Sequence, residues 1–478
     1  MSTAFYGRER ELGLLRERLE MKIASLVVIK GRRRIGKSRL AEEFCKPFKT
    51  IIIEGLPPDA EGVSARSQRE HFATCLQREL GLRGLKADDW DDLFWHLAQV
   101  TQKGRVAIVL DEINWMGSKD PTFLGKLKTA WDRYFKKNPQ LICILSGSMS
   151  AWIEENILGG TGFLGRISLT LTLDELPLPE CNHFWRPFEN KISPYEKFKI
   201  LSLTGGIPRY LEEIDPKVPA DEMIFRLCFR REGLLFSEFE RIFSDLFSKR
   251  AATYKKIVKR LASGDADFKQ ICEALNVKKG GQISDYLSDL EETQYIRRYH
   301  SWNLRTGKQS KTSLYRLTDN YIRFFLKYVE PNLNAIFRGT LRKIPAWDAI
   351  MGLQFENLVM NNARSLQVLL GIPGDQILNE GPYVQRPTKL YGGCQIDYLI
   401  QLKFHSLYVC EIKYLSKPVG LEVIEEVQEK IAKLYHPKMR FSIRPVLIHV
   451  NGVTKAVQEA GYFTHIIDFA QLLRRHRG

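Results

Sequence analysis

The chain has 478 residues, 44% of them hydrophobic, and a formal net charge of +16. That length is a prior for about three domains with ordinary packed cores, and the basic excess points to an anionic partner, most simply nucleic acid. No run reaches ~18 uncharged apolar residues, Met1 to Arg10 carry no apolar leader, and the eight cysteines form no CxxC pair; a cytoplasmic protein with buried, reduced thiols and no membrane partner is expected, without disulfides or zinc.

Residues 25-SLVVIKGRRRIGKSRLAEEF-44 predict strand, loop and helix. The loop Gly31-Arg32-Arg33-Arg34-Ile35-Gly36-Lys37-Ser38, continued by Arg39, fits GxxxxGK[ST] at every specified position. The spacing serves the chemistry of ATP. Glycines let backbone N–H groups curl around phosphates, Lys37 reaches the β- and γ-phosphates, and Ser38 is a ligand for Mg²⁺ at the positive end of a helix. The next apolar run, 107-AIVLDEI-113, predicts a buried parallel strand. Asp111 at its end is placed for the Mg²⁺ shell and Glu112 for polarising the attacking water. A third strand, 141-LICILSGS-148, ends in Ser146 and Ser148, either of which is a sensor candidate beside the γ-phosphate. Arg166, in 160-GTGFLGRI-167, is either an arginine finger or a surface charge.

These motifs occur in order with 5-FYGREREL-12 and 204-TGGIPRYL-211. The set resembles the archaeal-type ATPases of the AAA+/STAND P-loop group. The resemblance implies that Phe5, Gly7 and Arg8 lie near the adenine and that Pro208 closes over the nucleotide from a helical lid. It also implies a homo-oligomer whose sites are completed by a neighbour's arginine.

Residues 217 to 250 are helical and basic, the lid and connector. Tyr254–Leu261, Asp267–Leu275 and 282-QISDYLSDLEETQYI-296 have apolar residues at helical spacing. The strand-like pieces 295-YIRRYHSW-302 and 313-SLYRLTD-319 follow, joined by a basic loop. Three helices and a hairpin predict a winged helix-turn-helix. Lys278, Lys279, Arg297, Arg298 and Lys308 are its candidate contacts to DNA phosphates. A protein-binding winged helix is the alternative, and Asp285, Asp289, Glu291 and Glu292 weaken base readout by the third helix.

After 344-IPAWDAIM-351 the composition changes. A helix carrying Glu356 precedes two strands, 394-CQIDYLIQL-402 and 407-LYVCEIKYL-415, that turn at 403-KFHS-406. In the second, Glu411 and Lys413 share a face because strand side chains repeat every two residues. Asp397, Glu411 and Lys413 can therefore converge, as in PD-(D/E)xK nucleases, although Ile396 stands where that motif has proline. Asp397 and Glu411, with Glu356 as a further acid, would bind Mg²⁺ or Mn²⁺. The metal activates water, and Lys413 offsets charge on the phosphate. The archaeal-type family often carries a nuclease-like domain in this place, which agrees with the residue pattern.

The expected architecture is multidomain α/β. It comprises a P-loop AAA+ core (1–175), a helical lid (176–245), a winged helix with bridge (246–335) and a restriction-endonuclease-like domain (336–478). The expected function is an ATP-hydrolysing, DNA-processing protein with Mg²⁺-dependent endonuclease activity. Two alternatives stay open: a signalling or defence ATPase whose nucleotide state controls assembly, and a non-catalytic DNA-bound regulator with a degenerate nuclease fold.

Overall fold

Five short, mostly apolar runs in the first 174 residues become the parallel strands of one sheet in the computed structural model. They are β1 (Ser25–Gly31), β2 (Lys49–Glu54), β3 (Val106–Asp111), β4 (Leu141–Ser148) and β5 (Ile167–Leu173). Their order is β2-β3-β4-β1-β5. All neighbours run parallel. The central strands are buried on both faces, which is why they read as unbroken apolar runs and not as alternating ones. One face packs on Leu12, Leu15, Leu40 and Phe44. The other packs on an aromatic cluster in which Trp90 stacks on Phe94 and meets Phe123 edge-on. The described residues are 4–475 except 58–62, 82, 118, 149–150, 248–249, 279, 345, 347, 388–391 and 435–440.

The chain forms two compact units, Met1–Asp174 and Glu175–Gly478. In the second, the helices Pro194–Thr204, Ala220–Cys228 and Glu238–Phe247 are followed by Ala251–Leu261, Phe268–Leu275 and Gly281–Glu292. Each of the last three turns its apolar residues inward: Tyr254, Ile257 and Leu261; Ile271 and Cys272; Ile283, Tyr286, Leu287 and Leu290. An antiparallel hairpin of β6 (Ile296–Trp302) and β7 (Gln309–Leu317) follows.

The remainder is a mixed sheet of β8 (Ile377–Gln385), β9 (Cys394–Leu402), β10 (Ser406–Lys413), β11 (Ser442–His449) and β12 (His465–Asp468), ordered β12-β11-β10-β9-β8. β8, β9 and β10 pair antiparallel. The helix Glu422–Lys433 then carries the chain to β11, parallel to β10, because a parallel neighbour needs a crossover.

One core runs through this unit from Leu176 to Leu473. The hairpin is fastened to strand β8, the edge of the mixed sheet: Ser301 Oγ donates to Val384 O at 2.8 Å and accepts from Val384 N at 3.1 Å. Trp302 Nε1 donates to Gln401 Oε1 at 2.6 Å, and Asn379 Nδ2 donates to Gly307 O at 3.0 Å. The hairpin thus covers an edge that would otherwise expose unpaired backbone groups. Leu304, in the turn expected to lie on phosphate, is buried here. Among the described residues no helix is long and apolar enough to cross a membrane.

Candidate functional site

At the C-terminal ends of β1, β3 and β4 the register aligns Gly31 with Ser148 and Leu110 with Leu145, so the phosphate loop and Asp111-Glu112 share one rim. The loop leads into the helix Lys37–Cys45 with Gly36 at φ 88° as its N-cap, a left-handed turn that costs glycine nothing. A Cβ on Gly31 would lie 2.9 Å from Leu173 O, so the first glycine is needed for close backbone approach. Arg34 is also left-handed, at φ 68°.

Lys37 is buried and donates to Arg32 O at 3.3 Å. Burial holds its ammonium below the usual lysine range, while Glu112 and Asp111 oppose that shift. Burial in turn raises the Glu112 carboxyl, with Lys37 opposing and Asp111 reinforcing. Glu112 sits at φ 47°, a conformation that costs a non-glycine residue on the order of 1 kcal/mol. Its carboxylate accepts from Ser148 N at 3.3 Å and Ser148 Oγ at 3.4 Å. Asp111 Oδ1 accepts from Glu112 N at 3.0 Å. Asp111 and the Ser38 hydroxyl, exposed in the first helical turn, are hard oxygen donors of the type Mg²⁺ takes.

The other expected site residues take these places. Of the two serines, Ser148 touches Glu112. Ser146 is fully buried further back on β4, its hydroxyl without a hydrogen-bond partner among the described residues. Arg166 is held by Asp132 in a fork, Nε to Oδ1 at 3.1 Å and Nη2 to Oδ2 at 2.8 Å. That hydrogen bond brings the Asp132 carboxyl down to about 2. Arg8 fastens the phosphate loop, its Nη2 donating to Ile35 O at 3.0 Å and to Asp174 O at 2.6 Å. Gly7 and Arg8 make the left-handed turn ahead of the first helix, and Phe5 packs half-buried on the core. Arg39 lies 3.6 Å from Glu42. Pro208 opens the helix Pro208–Leu211 in the second unit, where Leu176 N donates to Gly206 O and Gly206 N to Glu175.

In the mixed sheet Tyr398 pairs with Cys410, which brings Asp397 and Glu411 side by side. Ile412 N donates to Asp397 Oδ2 at 2.9 Å. Lys413 lies 3.3 Å from Glu411 Oε1 and also pairs with Glu426. A residue that sequence reasoning missed sits among them. Lys430, from the helix Glu422–Lys433, lies 2.5 Å from Glu411 Oε2 and 3.7 Å from Asp397 Oδ1. Burial opposes its charge, yet Asp397 and Glu411 hold it above the usual range. Both carboxyls are raised, first by burial and then by the neighbouring acids, Glu356 for Asp397 and Asp397 for Glu411. The signal was legible: seven and three residues after the buried Val423 and Val427, position 430 falls on the inward face of its helix.

Glu356, expected as a further ligand, is committed elsewhere. It accepts from Arg316 Nη2 at 2.8 Å, and the same guanidinium binds Asp265. Among the described residues no group of three or more His, Cys, Asp or Glu is set to hold a metal ion. The two remaining carboxylates, Asp397 and Glu411, have the donor type for Mg²⁺, and a metal there would have to displace the Lys430 ammonium. Of the expected DNA contacts, Lys278, Arg297, Arg298 and Lys308 are exposed, while Lys279 lies outside the described residues. Arg298 Nε donates to Ser313 Oγ at 2.9 Å.

The family model of an ATPase domain found predominantly in Archaea matches residues 5–214. This part of the chain is an archaeal-type ATPase domain. An uncharacterized protein of Methanocaldococcus jannaschii is 27% identical over 357 residues, 74% of this chain and 76% of that protein. The Walker-type ATPase of Pyrococcus abyssi shares the fold with a TM-score of 0.51 and 18% identity, across 68% of this chain and 96% of its own. The ORC2 protein of Aeropyrum pernix, solved as ADPNP–ADP complexes, gives a TM-score of 0.42 at 16% identity over 71% of this chain and 97% of its own.

Proposed function

We propose that the chain is an ATP-hydrolysing protein that binds DNA and cuts its backbone, with hydrolysis in the first unit and cleavage in the mixed sheet of the second. The observation that carries the reading is that an ATPase domain is followed, in one chain, by adjacent strands on which Asp397, Glu411 and Lys413 come together.

In the first unit Lys37 neutralises charge on the β- and γ-phosphates. Glu112, raised by burial and held by Ser148, takes up the proton of the attacking water. Ser38 and Asp111 would hold Mg²⁺, which supplies further charge neutralisation. Phe5, Gly7 and Arg8 border the base in this reading, Arg8 by bracing the loop. In the second unit the three helices and the hairpin act as a winged helix on DNA phosphate through Arg298 and its neighbours. Asp397 and Glu411 would hold Mg²⁺ or Mn²⁺, whose chemistry is to polarise the phosphodiester and acidify a water. Lys413 offsets the charge that develops on the phosphate.

Lys430 favours a second reading. With its ammonium held between the two carboxylates, the segment binds DNA without cutting it, and nucleotide state in the first unit sets what it binds. Cleavage of labelled duplex, junction and single-stranded DNA by wild type and Asp397→Ala, with ATP turnover as the folding control, separates the two. Metal-dependent cutting lost in Asp397→Ala supports the nuclease. No cutting by wild type under any nucleotide condition sinks it and leaves the second reading.

A further inference from the structure

A cleft of about 470 Å³ opens between the start of the helix Phe268–Leu275, the base of the hairpin and the end of β8. Lys269, Arg298, Lys311 and Arg386 line it, against one carboxylate, Asp267. That carboxylate is already engaged, as the N-cap of the helix and as the partner of Arg386 at 3.2 Å. Among the described residues the ion-pair partner of Lys269 is the exposed Glu273, 3.5 Å away. Arg298 lies over the Tyr315 ring at 5.4 Å and bonds a hydroxyl, not an acid. Ser284 and Ser313 add hydroxyls to the wall. Surplus cations that converge with hydroxyl donors on a concave surface match the phosphate oxygens of a polyanion.

The cleft also has a direction. Arg386 follows Gln385, which pairs with Cys394 at the start of β9. Asp397 is three residues further on, about 10 Å along the strand. In strand register the Arg386 end of the cleft is thus on the order of 10 Å from Asp397.

We propose that this cleft binds the sugar–phosphate backbone of a polynucleotide and feeds it toward Asp397 and Glu411; the feeding, though not the binding, rests on the nuclease reading. Two of its four cations, Lys269 and Arg386, come from outside the hairpin, and neither is among the DNA contacts named from the sequence.

The test is fluorescence anisotropy of labelled single-stranded DNA, duplex DNA and RNA of equal length on the full chain, in EDTA, from low to high salt. The variants are Lys269→Gln/Lys311→Gln and the same pair with Arg386→Gln. A charge-matched control replaces exposed Lys403, Lys455 and Arg474 by Gln. Each lost contact is expected to lower the salt slope by roughly 0.7–0.9, so the triple variant should lose about two units of slope and bind at least tenfold more weakly, with an unchanged Tm. The control should match wild type. Cleft variants that bind with wild-type affinity and slope overturn the proposal, as does full competition by inorganic phosphate at equal ionic strength, which would assign the cleft to a free anion. Cleft-dependent binding by a wild type that cuts nothing leaves the proposal standing and fails the nuclease. Cutting that the cleft variants retain in full fails the cleft and leaves the nuclease.

Discussion

Replacing Lys430 by Met removes one ammonium from between two carboxylates and keeps most of the aliphatic volume. The side-chain exposures are 26% for Lys430, 15% for Asp397 and 3% for Glu411. Deleting one partner of a buried pair costs about 3–5 kcal/mol. Because the lysine stem reaches water, the cost falls to or below the lower end of that range, and we expect a loss of about 2–3 kcal/mol at neutral pH. For the unit Glu175–Gly478 that lowers Tm by roughly 3–5 °C, read by calorimetry or differential scanning fluorimetry in metal-free buffer. A divalent ion on the two carboxylates should restore the loss, since a ligand at 100 times its Kd adds about 2.7 kcal/mol. Mn²⁺ should therefore raise the Tm of Lys430→Met more than that of wild type, where it must first displace the ammonium. Asp397→Asn in the Lys430→Met background should recover stability without metal, because one of the two competing charges is gone, and should abolish the Mn²⁺ response. A Lys430→Met protein as stable as wild type refutes the buried-pair reasoning. A loss that neither Mn²⁺ nor Asp397→Asn repairs shows that the damage is not electrostatic.

Other outcomes are expected from the same geometry. Lys37→Ala should abolish binding of a fluorescent ATP analogue, whereas Glu112→Gln should keep binding and lower turnover about 10²-fold or more; retained turnover in Glu112→Gln removes Glu112 from its assigned place. The Arg166 pair holds the Asp132 carboxyl at about 2, below its unfolded range, so its contribution is present above the ordinary aspartate pKa and is lost as pH falls toward 2. Acid unfolding of Arg166→Ala should begin at higher pH than that of wild type, and an identical acid limb contradicts the pairing. If Arg166 is also a finger acting across subunits, mixtures of Arg166→Ala and Lys37→Ala shown to co-assemble should regain ATPase activity, and none should appear if it is only an internal pair. Burial pushes the Cys45 and Cys143 thiols up to about 12, and Cys75 alone among the eight is half-buried. A disulfide reagent should therefore titrate at most one thiol quickly in the native protein and all eight after denaturation.

The parts legible in the sequence are those whose geometry is local. The phosphate loop is contiguous, and its glycines, lysine and serine are fixed by one strand-to-helix turn, so a motif carries it. Asp111 and Glu112 follow because a two-sided buried strand that ends in acids delivers them to the same rim. Asp397, Glu411 and Lys413 follow because a three-residue turn between β9 and β10 sets the register, and register decides which side chains meet. Contacts made by a second element at a distance were not legible in the same way. Asp132 has no sequence relation to Arg166. Whether Glu356 faces a metal or a guanidinium depends on where β7 delivers Arg316.

Lys430 and Arg386 show what this costs a reading built on motifs. A motif names the groups a reaction needs and is silent about the groups that compete with them. An ammonium between Asp397 and Glu411 stands where a metal ion would have to bind, without altering one residue of the D…ExK pattern. The hairpin likewise keeps its basic residues, but fastening Ser301 and Trp302 to the mixed sheet tucks Leu304 in at the turn and sets the cations at its base, with Arg386, around a concave surface. Charge alone could not choose between tip and base, since both are basic. Exposure does not choose either, since Lys308 stays open at the tip; shape does, because the cleft at the base sets several cations around one backbone.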